Sequence, residues 1–331
     1  MASLRVITPG MLTTIQDRGR WGWQSRGVPV AGPMDPYSHR LANALAGNES
    51  DAAALEVTLV GPEMEFDDER IAAVTGADFD LTVDGRSAPV NAPFTVPAGS
   101  VLRFGTRRRG ARAYLAIAGG IAVPPVLESR STHVPSAMGG LDGRPLRAGD
   151  RLPLGKRGRE SFSALEKARI RRFSGLKTPQ ETTPVPFFVP PEGRATVRVL
   201  PGPQSDRFVA DALDVLQSAP YILDARSNRM GFRLQGPTLR HVSDAQMLSD
   251  ATPVGAVQVP AGGQPILLMA DRQTTGGYPN IATVISADIS LAGQLAPGDS
   301  ISFVVSTLRE AMAALIAREQ AVMAFEPGEP R

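Results

Sequence analysis

Val254-Gly255-Ala256-Val257-Gln258-Val259-Pro260-Ala261-Gly262-Gly263-Gln264-Pro265-Ile266-Leu267-Leu268-Met269 holds two short apolar runs on either side of Ala261-Gly262-Gly263. Each run is too short for a helix and rich in β-branched or bulky aliphatic residues, so the stretch reads as a hairpin. The chain then passes through Asp271-Arg272-Gln273-Thr274-Thr275-Gly276-Gly277-Tyr278-Pro279 into another apolar run at 281–285. Outward from this point the same grammar repeats. Strand-like runs stand at 71–74, 80–83, 101–104, 113–117, 197–200, 231–234 and 300–305, punctuated by a total of 33 glycines and 29 prolines. Many short strands between glycine and proline turns predict a mainly β protein of barrel or sandwich type.

A glycine turn feeding an alternating strand recurs three times, at 97–104, 147–154 and 296–303, as expected where a barrel closes. Three helices are marked. Asp35-Pro36, with apolar Leu41, Ala44 and Leu45 and a stop at Gly47, predicts one. Phe208, Val209, Ala212, Leu213 and Leu216 form a stripe capped by Ser205 and ended by Pro220. Thr307 and Glu310 make a capping box ahead of Leu308, Met312, Leu315, Ile316 and Val322, which predicts an amphipathic C-terminal helix. Prolines 179, 184, 186, 190 and 191 give 173–194 the composition of a linker. The expected organisation is a β-rich domain over 1–172, the linker, and a β-barrel domain over 195–325, with a frayed tail at 326–331.

With no cysteine, the chain has no disulfide scaffold, thiolate nucleophile or cysteine-ligated zinc site. His39, His133 and His241 stand far apart and form no HxH or HExxH pattern, so no metal site is expected. A net charge of +2 spread along the chain gives no reason to expect nucleic acid. Arg107-Arg108-Arg109, with Arg112 nearby, reads as a solvated hairpin tip between two strands. Gly119-Gly120 and Gly139-Gly140 lack the strand–turn–helix setting and the lysine of a nucleotide loop. No apolar run approaches the roughly 20 residues of a membrane span, and no leader-like segment opens the sequence, so a cytoplasmic location is expected.

Three clusters are candidates for chemistry. In the first, Gln16-Asp17-Arg18-Gly19-Arg20-Trp21-Gly22 continues to Gly27-Val28-Pro29 and Gly32-Pro33-Met34-Asp35. Arg20 holds an anion there with Asp17 orienting it, or the two pair to pin a turn. Asp35, just before Pro36, reads as an N-cap. In the second, residues 227–236, Arg229 and Arg233 both reach an anion, or Arg233 is an ordinary solvent-face residue and Met230 packs in the core. The third is Asp271 to Pro279. A strand-end aspartate, two threonine hydroxyls and Gly276-Gly277 lie close together, and this chemistry exceeds what a turn requires. The backbone N–H groups of Gly276 and Gly277 are candidates for an anion-binding nest, and Asp271 for a base or orienting group.

Gln16-Asp17-Arg18-Gly19-Arg20, Gly27-Val28-Pro29, Tyr114-Leu115-Ala116-Ile117-Ala118-Gly119-Gly120, Arg229-Met230-Gly231 and the run from Asp271 to Pro279 together resemble one family. It is the allophanate hydrolase subunit 2 family, also called biotin-dependent carboxyltransferase-like, which includes the C-type subunits of 5-oxoprolinase. The resemblance runs in order from about Leu4 to about Phe303.

It implies two cyclophilin-like β-barrel halves and an obligate partner, the B-type subunit, which is allophanate hydrolase subunit 1-like. With a third, A-type subunit, such an assembly opens the pyroglutamate lactam to glutamate at the expense of ATP, and ATP and Mg belong to the assembled enzyme. Related members pass a carboxyl group from biotin to urea, or act as Kip-type regulators. No biotin-accepting Met-Lys setting occurs in this chain, which favours the oxoprolinase reading. On that reading Asp17, Asp271 and Thr275 are the catalytic candidates. Gln16, Arg20, Arg229, Gln273, Gly276, Gly277 and Tyr278 are the substrate-binding candidates. Loss of Arg229 or Asp271 is then expected to remove activity and spare folding.

Overall fold

The computed structural model describes residues 2–156, 189–243 and 247–325. Most of the expected linker (173–188) and the tail (326–331) lie outside the described residues. The chain divides into two compact units. The first takes the residues up to Arg18, from Tyr37 to Pro190 and from Gln320 on; the second takes Gly19–Pro36 and Pro191–Glu319. The glycine-rich segment after Arg18 therefore joins the second unit, an exchange that lies outside the boundary drawn at the linker.

The first unit is a nine-stranded sheet of β1 (Ser3–Thr8), β2 (Leu12–Gln16), β3 (Ala54–Thr58), β4 (Glu63–Phe66), β5 (Arg70–Val83), β6 (Arg86–Ala88), β7 (Pro93–Val96), β8 (Val101–Ile117) and β9 (Arg151–Pro153). Its order is β2-β3-β8-β4-β1-β9, with β5 on β8 and carrying β6 and β7. The sequence divides β5 and β8 into two strands each, but both run through. Register shifts near Gly76, Asp78 and Phe79 let the long pair bend without breaking. Arg107, Arg108 and Arg109 therefore sit within β8, where Arg107 and Arg109 face Phe79 and Asp78 of β5, and form no hairpin tip.

Helix α1 (Pro36–Ala46) explains why the strands beneath it read as unbroken apolar runs. In β8, Ala113, Leu115 and Ile117 enter the main core of the unit, while Tyr114 and Ala116 pack with Leu41, Ala42 and Leu45 of α1. Period-two alternation persists, but both faces are covered.

The second unit is a closed barrel. Its strands are β10 (Arg194–Pro201), β11 (Tyr221–Leu223), β12 (Gly231–Gln235), β14 (Ala256–Gln258), β15 (Ile266–Leu268), β17 (Asn280–Val284) and β18 (Ser300–Val305). They close in the order β10-β17-β14-β15-β12-β11-β18, the seam being the parallel pair β18–β10. A separate small ribbon joins β13 (Asp250–Ala251) to β16 (Thr275–Gly276). Inside, Val197, Phe232, Leu234, Val257, Leu267, Ile281, Ile301 and Phe303 form the core, joined by Met34 from the glycine-rich segment. The chain is thus mainly β, with one closed barrel and one half-barrel sheet.

Among the described residues the remaining α-helices are α2 (Ala212–Ser218), α3 (Ile289–Gly293) and α4 (Leu308–Met323). Ser205 does not cap α2. It begins a separate 3-10 turn, and the helix starts seven residues later. The capping box of α4 is formed: the Glu310 amide donates to the Thr307 hydroxyl at 3.3 Å, and Glu310 Oε2 accepts from the Thr307 amide at 2.8 Å. Its apolar stripe is not packed away, since Leu308, Met312, Leu315 and Ile316 are exposed and Val322 is the helix's one buried residue. Among the described residues no helix is long and apolar enough to cross a membrane.

Candidate functional site

Asp17 follows β2 in the first unit and is buried. Its Oδ1 accepts from the hydroxyls of Ser129 and Ser131, each at 2.6 Å, and its Oδ2 from the Arg130 amide. The carboxylate therefore organises the 129–131 loop. Gln16 is fully buried beside it, donating from Nε2 to the Thr14 hydroxyl at 3.0 Å and the Thr132 carbonyl at 3.1 Å. The Gln16 carbonyl accepts from His39 Nε2 at 3.0 Å. Burial holds the His39 pKa below its ordinary value, which favours the neutral imidazole.

The other candidates belong to the second unit. Arg20 is among the largest fully buried side chains, and its amide donates to the Val30 carbonyl at 2.7 Å. Asp35 accepts from Gln294 Nε2 at 2.8 Å, so it ties the glycine-rich segment to α3's C-terminal end as well as preceding α1.

Arg229 and Asp271 form a two-pronged buried pair: Nε to Oδ2 and Nη2 to Oδ1, each 2.9 Å. Nη2 also donates to the Gly32 carbonyl at 2.6 Å, and the Asp271 amide donates to the Arg229 carbonyl at 2.9 Å. One guanidinium thus joins the glycine-rich segment, the 229 turn and the 271 loop. Both carboxylate oxygens of Asp271 are engaged, and the pair is 6% and 2% exposed. This arrangement suits an orienting role better than proton transfer.

Beyond Asp271 the chain lines open clefts. Arg272 is held by its Nε to the Thr252 carbonyl at 2.8 Å, and the Gln273 carbonyl accepts from the Thr252 hydroxyl. Thr252 and Gln273 form a wall shared by two cavities. One, of about 350 Å³, also takes Trp21 and Val30 of the glycine-rich segment. The other, of about 260 Å³, is lined by Gln273, Thr275, Gly276, Gly277 and Tyr278 together with Arg226, Arg233, Gln258, Ile266 and Leu268. The second unit thus brings Arg20's segment, Arg229 and the 271–278 loop together. Gln16 and Asp17 belong to the first.

The expected nest is absent. Neither Gly276 nor Gly277 has a positive φ, so their amides do not curl into the anion-holding concavity. Gly276 is small for another reason: a Cβ there would lie 2.7 Å from Gln258 Nε2. Gln258 itself escaped the sequence reading, although a polar residue between Val257 and Val259 in an apolar strand is the signal that marks it. Among the described residues no three His, Asp or Glu side chains gather to hold a metal ion.

Residues 26–305 match the family model described as carboxyltransferase domain, subdomain A and B. The chain is 40% identical to the C-type subunit of 5-oxoprolinase of Escherichia coli strain K12 over 311 residues, 94% of each chain. It is 35% identical to urea amidolyase of Saccharomyces cerevisiae over 312 residues, which are 91% of this chain but 16% of that one. The crystal structure of Kluyveromyces lactis urea amidolyase superposes with a TM-score of 0.86 at 32% identity, covering 98% of this chain and 20% of that one. A family model matched over residues 26–305, together with a relative 40% identical over 94% of its length, makes this chain a member of the carboxyltransferase domain A and B family.

Proposed function

We propose that this chain is the C-type subunit of an ATP-dependent 5-oxoprolinase, an amidohydrolase assembly that adds water across the pyroglutamate lactam and releases glutamate. The observation that carries the reading is the end-to-end match to a subunit of that name, 94% of each chain at 40% identity. The urea amidolyase matches, by contrast, are fragments of much longer proteins. The 260 Å³ cleft of the second unit is the substrate site, with Gln273, Thr275 and Tyr278 on its rim. Arg229 and Asp271 position the loop that carries them.

The Asp271 oxygens are held by Arg229 and no cluster of acidic side chains faces this cleft among the described residues, so its lining offers magnesium no set of carboxylate ligands. We assign ATP and magnesium to the assembled enzyme with its A-type and B-type partners, the latter allophanate hydrolase subunit 1-like, without which the chain is silent. The test is a reconstitution: glutamate release from pyroglutamate, coupled to ADP release, in mixtures of the three proteins. Turnover that needs all three is expected. Turnover by this chain alone, or carboxylation of urea from carboxybiotin by the mixture, contradicts the reading. The urea arm has its own warrant in the fold shared with urea amidolyase.

A further inference from the structure

On the outer face of the barrel, β12, β15 and β14 lie side by side. Arg233 pairs with Ile266, and Ile266 pairs with Gln258, so these three residues form one row across three strands. Neighbouring strands are about 4.8 Å apart, which places the ends of the row roughly 10 Å from each other. Phe232 and Leu234 point into the core, and strict alternation turns Arg233 out into the cleft. The next row holds Gly231 opposite Leu268, and the missing side chain leaves the floor open. The floor is therefore an aliphatic strip with a cation at one end and an amide at the other.

The two ends are poised differently from their neighbours. Arg226 also lines the cleft but is neutralised by Asp224, through Nε at 2.8 Å and Nη2 at 2.9 Å, and that contact holds the Asp224 pKa far below the usual carboxylate range. Arg233 has no such partner; among the described residues its guanidinium makes no hydrogen bond or ion pair. Gln258 is 8% exposed, and its Nε2 donates to the Tyr278 carbonyl at 3.2 Å. That carbonyl can only accept, so it fixes the amide's orientation and leaves Oε1 as the acceptor available to a ligand. Gly276 keeps this arrangement open, since a Cβ would strike the same amide.

We propose that the Arg233–Ile266–Gln258 row recognises a small cyclic amide bearing a carboxylate. The carboxylate sits on Arg233, the ring methylenes lie on Ile266 and Leu268, and the ring N–H donates to Gln258 Oε1. A cavity of about 260 Å³ lies just below the ordinary range of ligand pockets and suits a molecule of this size. The identification of that molecule as pyroglutamate rests on the function proposed above; the recognition chemistry rests on the row.

The experiment uses the reconstituted three-protein assembly and measures two things: ATP-dependent turnover, and equilibrium binding of pyroglutamate and of 2-pyrrolidinone, which lacks the carboxylate. Wild-type protein is expected to bind pyroglutamate far better than 2-pyrrolidinone. Arg233→Ala should weaken pyroglutamate binding about tenfold or more and erase the preference, as loss of a charged hydrogen bond does. Arg233→Lys should retain part of it, and Gln258→Leu should weaken both ligands alike. KM should move more than kcat, and unchanged melting temperatures confirm that the variants are folded.

If Arg233→Ala binds pyroglutamate as wild type does, the row is not the recognition element, whatever the turnover. If the variants behave as expected but no ATP-dependent turnover occurs, the row stands and the oxoprolinase reading fails. If wild type shows neither binding nor turnover, both fail.

Discussion

Arg229 and Asp271, 42 residues apart, meet through two hydrogen bonds of 2.9 Å each, and the same arginine holds the Gly32 carbonyl at 2.6 Å. Each of these buried groups supplies the other's charged partner, so loss of one removes that contact from the other. The sequence expectation that either residue can be lost without harm to folding does not survive this geometry.

Arg229→Ala or Asp271→Ala is expected to destabilise the second unit by about 3–5 kcal/mol, and the double variant Arg229→Met/Asp271→Leu by much less. Urea unfolding of all three decides it. Additive losses across the double variant would show that the pair is not coupled.

Asp17→Ala should cost about 1–3 kcal/mol, because the Ser129 and Ser131 hydroxyls and the Arg130 amide lose a common acceptor. The loss should appear in thermal unfolding and as faster amide exchange at 129–131. Intact stability with abolished assembly activity would instead return Asp17 to the chemistry.

His39 carries a pH signature. Burial lowers its folded pKa below the ordinary value of 6.5, so the unfolded chain takes up a proton that the native chain refuses. Its contribution to stability is complete above pH 6.5 and is lost as pH falls from there towards the folded pKa. In His39→Gln the unfolding midpoint should lose this dependence below pH 6.5, even if the variant is less stable throughout. An unchanged pH slope would place the titration elsewhere.

Two glycines of similar appearance should respond differently to alanine. At Gly61 a Cβ would lie 2.1 Å from the Phe104 Cβ, a rigid stem, so Gly61→Ala should destabilise by about 1–3 kcal/mol. At Gly276 the nearest atom is the end of the flexible Gln258 side chain, 2.7 Å away. Gly276→Ala should therefore cost little stability but displace that amide and lower assembly activity. Melting temperatures and turnover, measured side by side, separate the two effects.

Local patterns in the sequence specify many of the strands and the Thr307 cap, but not the continuity of β5 and β8 or the start of α2. The alternation of Phe232 and Leu234 with Arg233, and of Ile301 and Phe303 with their neighbours, places one set inside because a strand turns successive side chains to opposite faces. Thr307 and Glu310 start α4 because both partners of the capping box lie within four residues. The family motifs, being contiguous, were legible too. The site was not. Arg229 meets Asp271, and Arg233 shares a row with Gln258, only after strand register has been set by pairings across dozens of residues. The transfer of Gly19–Pro36 into the second unit has the same origin: Met34 is buried in the barrel core, and Gly32 is tied to Arg229 by contacts nearly 200 residues away in sequence. Short-range chemistry determines which elements form. Which side chains share a cleft depends on long-range packing, because neither burial nor register is a property of any one segment.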